Sequence, residues 1–245
     1  MRKALLVSIL SICSLSVLAT GNPEERKPSK TQKKMAQPDV PGTLVIDFGF
    51  NVLQNNDPEI ATELLGSRTI NFYYLRDIRI ANTKFYILPG IGLGLDRYKF
   101  DEDVTPVKGF DVDGNEVIAF DTIFGGGMKK SMLVTNYIDI PVELRFYANP
   151  SDTKRSFKVG VGFKVGYLFN SHTKIKQDVD GEIYKTKVHN DFNLSKFRYG
   201  VTARVGVGGF NVFYYQSLNP LWNTSDGFAG SEVNNTTIGV SFTGF

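Results

Sequence analysis

Only two histidines, His172 and His189, occur in the sequence, and Ser171 stands directly before the first. A serine beside a histidine suggests a nucleophile and its base. Adjacent residues of an extended strand point to opposite faces, however, so Ser171 and His172 form no dyad. A hydrolytic site needs a serine, a histidine and an acid converging on one spot; no such set stands out, and the chain reads as non-enzymatic. Asp-Val-Asp-Gly occurs twice, at Asp111–Gly114 and Asp178–Gly181, each copy followed within two residues by an acid, Glu116 or Glu182. Calcium is the tempting reading, but the fuller EF-hand spacing is absent and Asp-Gly between alternating segments is first of all a hairpin turn. No metal and no cofactor are expected.

Two groups of charged residues remain. With Asp180-Gly181 as a two-residue turn, Lys174 opposes Lys187 and Lys176 opposes Lys185. Like charges opposite one another are unfavourable. The hairpin is therefore either simply solvated or a contact for an anion, such as a lipopolysaccharide phosphate or an acidic partner. The second group is Asp47, Asp139, Glu143 and Arg145 with Lys158, Lys164, Arg198 and Arg204. Acid–base work by Asp139 and Glu143 is conceivable, but the basic neighbours favour a network of ion pairs, because charges in a confined space need partners.

The segments that carry these residues alternate with period two. In the first, Leu44, Ile46, Phe48, Phe50 and Val52 interleave with Thr43, Val45, Asp47, Gly49 and Asn51. Ile70, Phe72 and Tyr74 repeat the pattern, as does the run from Phe85 to Leu95, whose other face is Gly90, Gly92, Gly94 and Asp96. The fourth segment sets Val134, Ile138, Ile140, Val142, Leu144 and Phe146 against Thr135, Tyr137, Asp139, Glu143, Arg145 and Tyr147. In the fifth, an unbroken apolar row from Phe157 to Phe169 faces Lys158, Gly160, Gly162, Lys164 and Gly166; a sixth runs through Phe197 to Val207, a seventh through Phe210 to Tyr214, and an eighth from Asn235 to Phe245. Eight strands of about ten residues suit a tilted bilayer crossing. The face that collects both glycines and charges belongs in a narrow interior, and the apolar face belongs against lipid.

Link lengths agree. The links near Asp77–Thr83, Ala148–Ser156 and Gly208–Gly209 are short, and those near Gln54–Gly66, Asp101–Ser131, Ser171–Asp191 and Asn219–Asn234 are long. Short periplasmic turns alternating with long extracellular loops are the signature of an all-β, antiparallel, up-and-down transmembrane β-barrel. A soluble barrel with a greasy cavity would turn its apolar face inward instead. Mean hydropathy is only −0.14, as alternation predicts. The formal charge of +3 gives no reason to expect nucleic acid.

Arg2 and Lys3 precede an apolar run from Ala4 to Leu18 that ends at Ala19-Thr20-Gly21. This reads as a secretory signal peptide over residues 1–19, cut after Ala19 or Gly21. Its removal takes away Cys13, the only cysteine, and with it any disulfide or thiol chemistry. Residues 20–42, with Arg26, Lys27, Lys30, Lys33 and Lys34, read as a flexible basic periplasmic linker. The barrel then occupies 43–245 in the outer membrane of a Gram-negative bacterium, among lipid, lipopolysaccharide and other envelope or secretion proteins.

Tyr137-Ile138-Asp139-Ile140-Pro141-Val142-Glu143-Leu144-Arg145-Phe146-Tyr147, followed by the Gly-rich aromatic strand at Phe157–Phe169, resembles the PorT-type outer-membrane β-barrel family of Bacteroidota. The resemblance spans most of the chain after Gly42 and is most specific at Ile140-Pro141. It implies an eight-stranded barrel whose namesake assists type IX secretion, and hence an accessory or scaffold role in secretion or surface assembly. A small ligand- or lipopolysaccharide-binding barrel or a narrow porin is the alternative. Phe245 ends the chain out of phase with Ile238, Val240 and Phe242. Pro89 and Pro141 fall at similar heights on the third and fourth strands, and each removes a ladder donor, which predicts a weakened or bulged seam there.

Overall fold

A computed structural model describes residues 42–54, 60–101, 104–110, 116–122, 127–223 and 232–244. The segments expected to be a signal peptide and a linker, up to residue 41, the first Asp-Val-Asp-Gly and Phe245 lie outside the described residues. The strands are β1 (Thr43–Gln54), β2 (Arg68–Leu75), β3 (Ile78–Arg79), β4 (Phe85–Lys99), β5 (Val104–Phe110), β6 (Glu116–Thr122), β7 (Met128–Tyr147), β8 (Phe157–Val179), β9 (Glu182–His189), β10 (Phe197–Val207), β11 (Phe210–Ser217) and β12 (Asn234–Thr243). Eight of them close a ring in the order β1-β2-β4-β7-β8-β10-β11-β12, with β12 returning to β1. Every neighbouring pair is antiparallel. Closure leaves no unpaired edge among these strands, the condition for a sheet to stand in lipid.

The alternation sorts faces as the period requires. Phe157, Val159, Val161, Phe163, Val165, Tyr167 and Phe169 are all exposed on the outside, while Lys158, Gly160 and Lys164 between them are buried. On β1, Asp47 and Asn51 are buried and Phe48, Phe50 and Val52 exposed. Large apolar side chains exposed all around a ring are the lipid-facing belt of a membrane barrel. The periplasmic β10–β11 link is two residues, Gly208-Gly209, with Gly208 at φ 61°, a backbone region that glycine enters without steric cost.

Two long links are shorter than the sequence suggested, because part of each is strand. β7 has 20 residues and β8 has 23, about twice a bilayer crossing. Their outer parts pair with each other and with β9, forming a sheet that stands beyond the belt. β5 and β6 make a separate hairpin within the 101–131 link. At the root of the projecting sheet the register slips: Asn136 pairs with Asn170 but Tyr137 with Leu168, so Phe169 is an extra residue on β8. Such a bulge reverses which residues of its strand face outward. Val134 lies on the outward face, yet it is buried between its cross-strand neighbours Arg97 and His172.

Candidate functional site

The interior is filled by charge that cancels locally. Toward the external end, Arg198 donates from Nε to Asp139 Oδ1 at 3.0 Å and from Nη2 to Asp139 Oδ2 at 2.7 Å, while Nη1 donates to Asp96. Lys164 Nζ lies 3.7 Å from Asp139, and Tyr73 donates to the same carboxylate at 2.8 Å. Toward the periplasmic end, Arg204 Nη1 reaches Asp47 Oδ1 at 2.9 Å and its Nε reaches Glu143 Oε2 at 3.4 Å. Arg145 closes that group on Glu143 at 2.7 Å. Each quartet carries two carboxylates and two cations, for a formal sum of zero. Lys158 stands apart, donating to Thr243 Oγ1 at 2.8 Å. The quartets thus bring together seven of the eight lumen charges expected from sequence, and add Asp96.

Glycines make the room. A Cβ at Gly94 would strike both Arg198 and Asp139, one at Gly166 would strike the same pair, and one at Gly160 would strike Glu143. At these three positions the missing Cβ leaves room for a charged side chain from another strand. Aromatic faces cover the cations: Arg198 lies 3.9 Å from the Tyr137 ring centre and Lys164 3.8 Å from that of Tyr215, an attraction that strengthens away from water. Voids of about 10 and 20 Å3 lie beside these groups, each with room for about one water.

Apolar side chains cluster toward both mouths. Val45, Tyr73, Leu75, Tyr86, Leu88 and Tyr147 cluster at the periplasmic side. At the external side Leu53, Ile60, Phe100, Ile118, Phe192 and Trp222 belong to one larger buried cluster. Phe120 bridges it edge-on, 5.5 Å from Phe100 and 5.7 Å from Trp222. Most of this cap is drawn from four separate links and from the β5–β6 hairpin, to which β1, β4 and β7 add Leu53, Tyr98 and Leu133; the links carry no periodicity, which is why sequence reasoning missed it.

Outside the belt, β8 and β9 join through Asp180-Gly181, both at positive φ (54° and 85°). The ladder sets Lys174 opposite Lys187 and Lys176 opposite Lys185. Asp178 caps this turn, accepting from Gly181 N at 3.1 Å and pairing with Lys129, and no group of acids able to hold a metal occurs among the described residues. The His172 and His189 rings lie 4.9 Å apart, and His172 Nδ1 is 3.1 Å from Asn170 Oδ1. Ser171 instead donates to the Asn190 carbonyl at 2.5 Å. Burial, with Lys187, Lys174, His189 and Arg97 close by, pushes the His172 imidazole down to about 4. At the prolines, pairing between β4 and β7 runs to Pro89–Val142 and resumes at Gly92–Asp139 in unchanged register, leaving two positions without ladder pairs.

The family described as "Outer membrane protein beta-barrel domain" matches residues 36–223. No curated protein matches the chain. Among solved structures, that of Ail, the attachment invasion locus protein of Yersinia pestis, in complex with the heparin analogue sucrose octasulfate, is 12% identical. It covers 84% of this chain and 100% of its own, with a TM-score of 0.35.

Proposed function

The chain belongs to the outer membrane protein β-barrel domain family, and from that premise we propose that it is a non-conducting, non-enzymatic barrel serving as a structural or accessory component of a secretion or surface-assembly complex. The observation that carries this reading is the filled interior. Two neutral ion-pair quartets lie between apolar clusters toward both mouths, and the voids beside the quartets hold about one water each. Work is left to the external cap, the projecting sheet and the segment before the barrel. The PorT-like stretch Tyr137–Tyr147 favours a type IX-like secretion complex, and export through a cleaved leader accounts for residues 1–19.

The test is a mild-detergent pull-down from native outer membranes, with the affinity tag inserted within residues 20–42 of the full chain. Stoichiometric recovery of secretion or surface-assembly proteins supports the accessory role; recovery of the barrel alone refutes it. Absence from the outer-membrane fraction overturns the localisation, and amino-terminal sequencing of the same sample checks for a start at Thr20 or Asn22. Steady ion conductance in planar bilayers would contradict the sealed lumen.

A further inference from the structure

Immediately beyond the lipid-facing belt, the ladders lay basic side chains in rows on the same outward face. The belt's last row joins Ile70 to Leu95. One step further out, Arg68 pairs with Arg97, whose row continues through Val134 to His172 and His189. The next row runs Lys99, Met132, Lys174, Lys187. The third sets Lys130 beside Lys176 and Lys185. Successive outward rows are about 7 Å apart and neighbouring strands about 5 Å apart, so the cations form a dense lattice.

Carboxylates are scarce on that lattice. Lys99 pairs with Glu63. Among the described residues, Arg68, Arg97, Lys130, Lys174, Lys176, Lys185 and Lys187 have no ion-pair partner. Burial and the nearby cations depress the ammonium pKa values of Lys130 and Lys174. Two shallow cavities open on the patch, one of about 350 Å3 at Arg68, Arg97 and Lys130, the other of about 360 Å3 at Lys174, Lys176 and Lys187. The Phe169 bulge puts β8's share there: without it Lys174 and Lys176 would face the other side of the sheet.

We propose that this face is a binding site for the phosphate groups of an outer-leaflet glycolipid, whose acyl chains lie along the adjoining belt. Continuity selects the occupant. A ligand that touches both an apolar wall and, one residue step above it, a lattice of unpaired cations must carry hydrocarbon and multiple negative charge in that order. A soluble polyanion satisfies only the upper half. The simpler account of the lysines, protection of the free β9 edge from strand pairing, explains Lys185 and Lys187 but not Arg68, Arg97 and Lys130, which stand on other strands.

The inference rests on the barrel standing in an outer membrane, so the test begins with full-length protein expressed with its own amino terminus and recovered from outer membranes. Its purified form, in neutral detergent, is titrated with diphosphoryl lipid A, with dephosphorylated lipid A and with inorganic pyrophosphate. The same titrations are made on Arg97→Gln/Lys130→Gln/Lys174→Gln/Lys187→Gln and on a control, Lys154→Gln/Arg155→Gln, placed in the periplasmic turn. The expected result is tightest binding of diphosphoryl lipid A, about thirtyfold weaker in the fourfold variant, the size of four screened ion contacts, and unchanged in the control. Equal binding of the dephosphorylated lipid, equal binding by the fourfold variant, or pyrophosphate binding as tight as the lipid would each overturn the proposal. Failure to reach the outer membrane would instead overturn the reading it rests on. Heat-modifiability of the fourfold variant, whose lumen is untouched, reports that it still folds.

Discussion

Replacing Arg198 by methionine keeps an unbranched apolar stem, shorter than arginine's, and removes the charge that holds the external quartet together. Three hydrogen bonds to two buried carboxylates are lost. The two acids do not suffer equally. Asp139 keeps Tyr73 OH at 2.8 Å and Lys164 at 3.7 Å, whereas Asp96 keeps only the hydroxyl of Thr69. Orphaning one member of a buried pair costs about 3–5 kcal/mol, and here the orphan is Asp96. Removing its charge as well should recover most of the loss, because neutral replacement of a whole buried pair is often close to neutral in stability. Reversible urea unfolding in lipid vesicles should therefore place Arg198→Met about 3–5 kcal/mol below the natural protein and Arg198→Met/Asp96→Asn within about 2 kcal/mol of it. An Arg198→Met loss under about 1 kcal/mol, or a double variant less stable than the single, would refute the argument that this network is a coupled unit.

Three other expectations are open to measurement. Gly94→Ala should cost about 1–3 kcal/mol by forcing Arg198 and Asp139 aside, while Gly109→Ala, with open space around it, should be neutral in the same unfolding assay. Trp222→Ala should remove about 3–5 kcal/mol from the external cap, seen as faster protease cutting in the external links while the membrane-embedded strands stay protected. The His172 imidazole should titrate near 4 by NMR. Because the unfolded hairpin takes up that proton first, near the ordinary value of about 6.5, hairpin stability is full above that pH and is lost as the pH falls toward 4. Lys174→Gln/Lys187→Gln should raise the His172 value.

The ring was legible because alternation is itself a statement of inside and outside: Phe157 to Phe169 on one face and Lys158 to Gly166 on the other require a wall with lipid on one side. The same parity places Asp96 and Tyr137 inward. Parity does not say which carboxylate meets which guanidinium. Arg198 finds Asp139 and Asp96 at separations of 59 and 102 residues, a choice made by strand register and by the gaps at Gly94 and Gly166. The cap was hidden because Ile60, Phe192 and Trp222 stand in links with no period to follow. The outward rank of Lys174 and Lys176 was hidden by a single residue, since only the bulge at Phe169 aligns them with Arg97 and Lys130. The family match extends to an outer-membrane β-barrel domain; the partners of its outer end were not written in the strand pattern.

Ring closure joins the first barrel strand to the last, Val45 opposite Thr243, and this governs the order in which the molecule can be made. Until Asn234–Thr243 arrives, β1 and β11 each present a row of unpaired amides and carbonyls, and hydrocarbon offers nothing to satisfy them. Lys158 likewise waits for Thr243, and Arg204 for Ser241. The final strand is thus a latch. A chain shortened by those ten residues is not a seven-eighths barrel of slightly lower stability but an open sheet that cannot remain in the bilayer, so insertion and completion of the ring are a single event.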